Sequence, residues 1–191
     1  MILDIGTQQA LSLEISRSSL PATKTMRFDG PALPPLAFTR FCEQYRDDCE
    51  IHRIAFRRPL PERLDDDHLR DLLTVNRDVN RAITPKLDEG GLLGERWRIS
   101  PNTGECHDYA VTKRHELLER GWPSRSLLLA EVVVPSGEHH LVLVVRTDDG
   151  DLVLDNLNAG IRHWSDTHYQ WVRIQSPNDP NLWMTVAPAT T

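Results

Sequence analysis

Glu138-His139-His140-Leu141-Val142-Leu143-Val144-Val145-Arg146-Thr147-Asp148-Asp149-Gly150-Asp151-Leu152-Val153-Leu154-Asp155 decides the fold. Two β-branched and leucine runs flank Thr147-Asp148-Asp149-Gly150, so the stretch reads as an antiparallel hairpin. With Asp148 and Asp149 in a type I turn and Gly150 in the left-handed position, Thr147 lies opposite Gly150 and Val142 opposite Asp155. His140 is then a diagonal neighbour of Asp155 on one face, with backbones about 7 to 8 Å apart and side chains in reach. His139 points the other way, because side chains alternate along a strand. An Asp149-Gly150 two-residue loop would instead set His140 and Asp155 four positions out of register, about 13 Å apart by strand rise. Pairing of the two therefore requires the longer turn.

Outward from the hairpin, Leu127 to Val134 is another apolar run, closed by Pro135-Ser136-Gly137. Before it stands Thr103-Gly104-Glu105-Cys106-His107-Asp108-Tyr109-Ala110, the start of a helix. Thr103 or Asn102 is the expected cap. Glu105 and Asp108 are acidic near the first turn, Lys113, Arg114 and Arg120 follow, and Gly121 is the stop. The fold class is thus α+β, with Cys106 at a helix N-terminus packed on an antiparallel sheet that carries His140 and Asp155. A thiol of ordinary pKa near 8.5 is mostly protonated at neutral pH, and a helix start with an imidazolium partner holds it as thiolate. The imidazole then protonates the leaving group, while a carboxylate on its other nitrogen fixes tautomer and orientation. Cys106, His140 and Asp155 are accordingly the expected nucleophile, base and orienter. A lone free cysteine is usually a small buried hydrophobe, and the two partners in compatible register argue against that here. A metal site from Cys106, His107, His139 and His140 lacks any zinc-type spacing such as a CxxC pair. His52, His68, His115, His163 and His168 read as surface or packing residues. An acyl-enzyme can pass to water or to an amine, so hydrolysis and transamidation both fit the three residues, and a non-catalytic binding protein on the same scaffold is the alternative from another class.

Asp65 to Ile83 is an amphipathic helix with Leu69, Leu72, Leu73, Asn76, Val79, Asn80 and Ile83 at helical spacing. Asn76 and Asn80 on that stripe are expected to hydrogen-bond loop backbone and brace the site, with direct substrate contact as the alternative. Trp97 and His107 are candidate cleft residues. Cys42 and Cys49 would be about 10.5 Å apart on a continuous helix, beyond the roughly 7 Å bridging limit, so a disulfide requires a turn near Arg46-Asp47-Asp48. Residues 1–36, rich in Ser, Thr and Pro, read as an extended arm, and 37–191 as one domain with an irregular tail from Ser176. The chain has 191 residues, 39% of them hydrophobic, enough for one sizeable core. Its net charge of -6 is interspersed, which disfavours nucleic acid as a partner. No apolar run approaches the roughly 20 residues of a membrane helix. Met1 to Gly6 lacks the basic and apolar segments of a signal peptide, which leaves a cytoplasmic location as one alternative.

Val75-Asn76-Arg77-Asp78-Val79-Asn80-Arg81-Ala82-Ile83, Trp97, Gly104 to Arg114, His140-Leu141-Val142-Leu143 and Leu154-Asp155-Asn156-Leu157 resemble the bacterial transglutaminase-like cysteine proteinases, peptidase family C93. The resemblance spans about Phe38 to Trp183. It implies a papain-like, transglutaminase-type core, a protein or peptide substrate, and a catalytic triad at Cys106, His140 and Asp155. It also implies a periplasmic or secreted location, since the best-known branch consists of calcium-dependent periplasmic proteinases that clip biofilm adhesins. In that branch an aspartate and a glutamate flank the cysteine and help bind calcium. Glu105 and His107 hold those places here. Glu105 alone could still offer a carboxylate to calcium, and the expectation is that no cofactor is required.

Overall fold

The computed structural model describes residues 25–50, 61–86 and 94–187. Its centre is a seven-stranded antiparallel sheet made of β1 (Phe28–Ala32), β4 (Leu127–Val133), β5 (His139–Thr147), β6 (Gly150–Leu154), β7 (Arg162–His163), β8 (Gln170–Gln175) and β9 (Trp183–Val186), in the order β1-β9-β8-β4-β5-β6-β7. Helices α1 (Leu36–Gln44), α2 (Asp66–Ala82) and α3 (Cys106–Glu119) accompany it. A two-stranded parallel ladder, β2 (Thr84–Pro85) with β3 (Thr103–Gly104), ties the end of α2 to the start of α3.

The central strands are apolar at nearly every position because both sheet faces are covered. Leu127 and Leu129 of β4, Leu141, Leu143 and Val145 of β5, and Leu152 and Leu154 of β6 join Val75, Val79, Tyr109, Ala110 and Leu117 from the helices in one core. The alternating positions, Leu128, Ala130, Val132, Val142, Val144 and Val153, form a second core with Met26, Trp164 and Ile174. Period-2 alternation thus sorts the chain between two apolar layers rather than between core and water.

The hairpin takes the longer turn. Thr147 pairs with Gly150 and Leu143 with Leu154, and Gly150 has φ +120°. Pairing between β5 and β6 begins only at Leu143, whereas β4 pairs with β5 as far back as His139. The first residues of β5 therefore overhang, with one edge free of a strand partner. Cys42 and Cys49 are joined in a disulfide, with Cα atoms 5.6 Å apart. The bridge is reachable because α1 stops at Gln44 and a 3₁₀ turn at Asp47–Cys49 folds the chain back.

Three expectations are corrected. The segment expected as an arm supplies β1 at its end, and Pro31 fits there because an edge strand tolerates a missing N–H. Residues 1–24 of that arm lie outside the described residues. The tail expected to be irregular contains β9, which pairs with both β8 and β1. On α2 the buried stripe is Leu72, Val75, Asn76 and Val79, while Leu69 and Leu73 are exposed, so the apolar face is rotated from the one expected.

Candidate active site

Helix α3 begins where β3 ends, and its N-cap is Glu105 rather than Thr103 or Asn102. Thr103 is held in the β2–β3 ladder, which leaves Glu105 and Asp108 to form a reciprocal capping box. Cys106 is consequently the first helical residue, at the positive end of the helix, where backbone N–H groups lack intrahelical partners. The overhang of β5 meets it there, and the Leu141 backbone N–H donates to the thiol. Burial pushes the Cys106 thiol up, but hydrogen bonds from His107 and His140 and the His140 charge outweigh it and bring the thiol to about 7.

His140 and Asp155 meet as the register requires, with Nε2 2.8 Å from Asp155 Oδ1, and both are buried. Since Nε2 is engaged, Nδ1 is the nitrogen left for the thiol. Burial would lower the His140 imidazole, yet hydrogen bonds to Asp155 and Cys106 hold it up at about 9. Burial likewise would raise the Asp155 carboxyl, and the contacts to His140, Tyr169 and the Leu157 N–H hold it well below its ordinary value. The Leu157 N–H donates to Oδ1 at 2.9 Å, and Asn158 Nδ2 donates to Oδ2 at 3.2 Å. The Tyr169 hydroxyl donates a short hydrogen bond to the same Oδ2, and its ring stands edge-on to His140 at 6.1 Å. His139 points away, 68% exposed at its side chain, with Nδ1 2.6 Å from Glu131 Oε1.

Asn80 Nδ2 donates to the Asp155 carbonyl at 2.9 Å, and Asn76 Nδ2 to the Ala159 carbonyl at 3.1 Å. Both amides thus hold the loop that follows β6, the bracing geometry rather than the substrate-facing one. Trp97 is buried against Phe38 and Phe41, donates from Nε1 to Glu95 at 2.7 Å, and stacks beneath His107 with ring centroids 6.0 Å apart. It supports His107, which is itself buried and hydrogen-bonded to the Cys106 thiol. Burial lowers the His107 imidazole, but its bond to Cys106 and the charges of Asp108, Cys106 and Glu95 raise it overall. Tyr169 and Asn158 escaped the sequence reading. Asn158, three residues past Asp155, has the spacing of a local turn partner that could have flagged it; Tyr169 has no such signal.

Beside Cys106 opens a cleft of about 180 Å³ lined by Lys86, Arg96, Arg98, Thr103, Gly104, Glu105, His107 and Asp108. Asp108 is wholly buried at its floor. Its Oδ1 accepts the Arg98 backbone N–H at 2.7 Å, and its Oδ2 accepts the Glu105 N–H at 3.1 Å and Arg98 Nη2 at 3.3 Å.

The site thus gathers a thiol at a helix start, a buried imidazole beside it and a carboxylate that holds the imidazole. The bacterial transglutaminase-like cysteine proteinases match residues 29–191, and the chain belongs to that family. It is therefore a transglutaminase-like cysteine peptidase. Among solved structures it is similar to Legionella pneumophila LapG, at 25% identity and TM-score 0.51, covering 61% of this chain and 68% of that one. The calcium-bound form of Legionella pneumophila LapG matches at 22% identity and TM-score 0.54, covering 64% and 72%. An EGTA-treated form matches at 24% identity and TM-score 0.51, covering 61% and 66%. No protein of curated function matches.

The residues beside Cys106 fit calcium poorly. Calcium wants six to eight oxygen ligands. Here both Asp108 oxygens are taken by N–H donors, the Glu105 carboxylate is engaged in the capping box, and His107 presents nitrogen. Three cationic side chains line the approach.

Proposed function

We propose that the protein cleaves peptide bonds of a protein substrate through a Cys106–His140–Asp155 triad and a thioester intermediate. The observation that carries this reading is the meeting of the Cys106 thiol, held near neutrality, with a buried His140 whose far nitrogen is fixed by Asp155. The Cys106 thiolate attacks the scissile carbonyl carbon, and the carbonyl electrons move to oxygen. That oxyanion is stabilised by the Cys106 backbone N–H at the helix start. The His140 imidazolium gives its proton to the departing amine as the C–N bond breaks, leaving an acyl thioester. Neutral His140 then takes a proton from water, whose oxygen attacks the thioester, and collapse releases the carboxylic acid and restores the thiolate. Asp155 keeps His140 in the required tautomer throughout. Tyr169, Asn158 and the Leu157 N–H hold Asp155 itself, and Asn80 holds its backbone.

An exported, oxidising location is part of the proposal. The Cys42–Cys49 disulfide supports it, because such bridges persist outside the reducing cytosol, and the family resemblance points the same way. The deciding experiment compares protein substrates incubated with the active protein and with Cys106→Ala, reading new termini by mass spectrometry. Hydrolysis yields free carboxyl termini that the variant fails to produce, with a rate loss of about 10⁴-fold or more. Incorporation of a labelled amine at glutamine, without new termini, would overturn hydrolysis in favour of transamidation. Activity retained by a folded Cys106→Ala would remove the nucleophile assignment.

A further inference from the structure

The cleft beside Cys106 has a charge imbalance that the triad does not use. Its two acids are committed internally. Asp108 is saturated by Arg98 and by the Glu105 N–H, and Glu105 is engaged in the helix cap. The cations are not balanced in the same way. Arg98 has one nitrogen on Asp108 and keeps a half-exposed side chain. Lys86 and Arg96 have no ion-pair partner among the described residues, and both are exposed at the cleft. Their placement is fixed by the fold, since the Lys86 backbone N–H donates to the Gly104 carbonyl at 3.0 Å, two residues before the thiol. In a chain of net charge -6, this gathers positive charge at a cleft lined by Glu105 and His107, the two residues that flank the thiol.

We propose that this cleft is a specificity subsite that receives an aspartate or glutamate side chain of the substrate next to the scissile bond, with Arg96 and Lys86 as its counter-ions. The inference rests on the reading of Cys106 as the peptidase nucleophile. A cavity of about 180 Å³ has room for one side chain, and a carboxylate is the anion that an unmodified polypeptide carries. Where the resemblance places a calcium-binding pair, this chain presents a surface of opposite preference, one that accepts an anion and repels a divalent cation. The cations lie at a solvated rim, so they act through discrimination and encounter rather than through large binding energy.

The test has a turnover arm and a binding arm. Peptides that differ only by Glu, Gln or Lys at each position around a cleaved bond are assayed with the wild-type protein at low and high salt. At one position Glu is expected to exceed Gln by about three- to tenfold in kcat/KM, with the advantage shrinking as salt rises. Arg96→Gln should erase that advantage, and Lys86→Glu with Arg96→Glu should turn the ranking toward Lys. Equal cleavage of Glu and Gln peptides at every position would overturn the subsite while leaving the peptidase reading intact. Fluorescence anisotropy of the same peptides on the thiol-blocked protein gives a readout independent of turnover. Acidic preference in binding without any cleavage would keep the subsite and sink the peptidase reading, whereas absence of both would overturn both.

Discussion

Cys106 stands between two imidazoles, and their chemistry sets the pH behaviour. The thiol deprotonates near 7, after burial is outweighed by the His107 and His140 hydrogen bonds, and the His140 imidazolium survives to about 9 because Asp155 and the thiol outweigh its burial. The thiolate–imidazolium pair therefore exists between about 7 and about 9, and kcat/KM should rise through the lower value and fall through the upper. Stability follows the same partners with its own signs. His140, raised in the folded state, contributes stability that is complete below its ordinary pKa of 6.5 and is lost as pH climbs through about 9. Asp155, lowered, contributes above 3.8 and loses that contribution as pH falls. His140→Ala should remove activity by about 10³-fold or more, while His139→Ala, on an exposed side chain paired with Glu131, should leave kcat within about twofold. Kinetics of the two variants distinguish them, and the reverse order would contradict the observed register. The pairing of His140 with Asp155 was legible because hairpin register is set by turn length and strand period, both local properties. Tyr169 was not, since the turns and loops between Asp155 and β8 have no period that could place a hydroxyl on a carboxylate. Arg114 entered the sequence reading only as one of the cations that follow the helix start, and its structural role was not legible there. Its side chain is buried, donating to the Leu127 carbonyl at 3.0 Å and the Asp48 carbonyl at 2.5 Å, and it thereby ties α3 to β4 and to the disulfide turn.

The start of α3 is the element on which the site depends. Gly104 permits it, because a Cβ there would lie 2.4 Å from Asp108 Oδ2 and 2.8 Å from Asp108 Cβ. Asp108 cannot swing aside without surrendering the Arg98 and Glu105 bonds. Gly104→Ala should cost about 1–3 kcal/mol of stability, measured by denaturant unfolding, and should reduce activity at 25 °C as the first helical turn shifts. A neutral result would mean that the capping box is not rigid. The same crowding leaves no free oxygen on Asp108 for a cation, so chelator and added calcium should each change activity by less than about twofold. Calorimetric titration checks this directly, and micromolar calcium binding coupled to activity would overturn it. At the sequence level the helix start was visible but its cap was not. The choice among Asn102, Thr103 and Glu105 depends on the β2–β3 ladder, a pairing of two-residue strands that leaves almost no pattern in the chain. Helix α2 shows the same limit from another side, since Val75 faces the core while Leu69 and Leu73, expected on the stripe, are exposed. Hydrophobicity locates a stripe only to within a residue or so of rotation.

At the scale of the whole molecule, the two-faced sheet explains why the central strands were easy to read and the edges were not. Strands buried on both sides are continuous apolar runs, whereas β1 and β9 lie near one margin, carry mixed sequences, and adjoin prolines that suggest irregular chain. Among the described residues no helix is long and apolar enough to cross a membrane. The disulfide closes a short loop on the helical side of the sheet, and opening it releases α1 from the Asp47–Cys49 turn. By the loop-entropy relation it contributes about 2 kcal/mol, so Cys42→Ser with Cys49→Ser should lower the unfolding free energy by that amount without touching the triad. Unfolding curves with and without reductant measure it, and coincident curves would mean the bridge is mechanically idle. The pairing of β1 with β9 has a further consequence. Phe28 lies opposite Val186, and the Ala187 N–H donates to the Arg27 carbonyl at 2.9 Å, so the two strand ends leave the domain side by side. Tension applied between residues 27 and 187 would load those ladder bonds one after another, as a zipper opens, rather than shearing them together. The domain would yield from its β1–β9 margin at low force, with β5, which bears His140, and β6, which leads into Asp155, still paired.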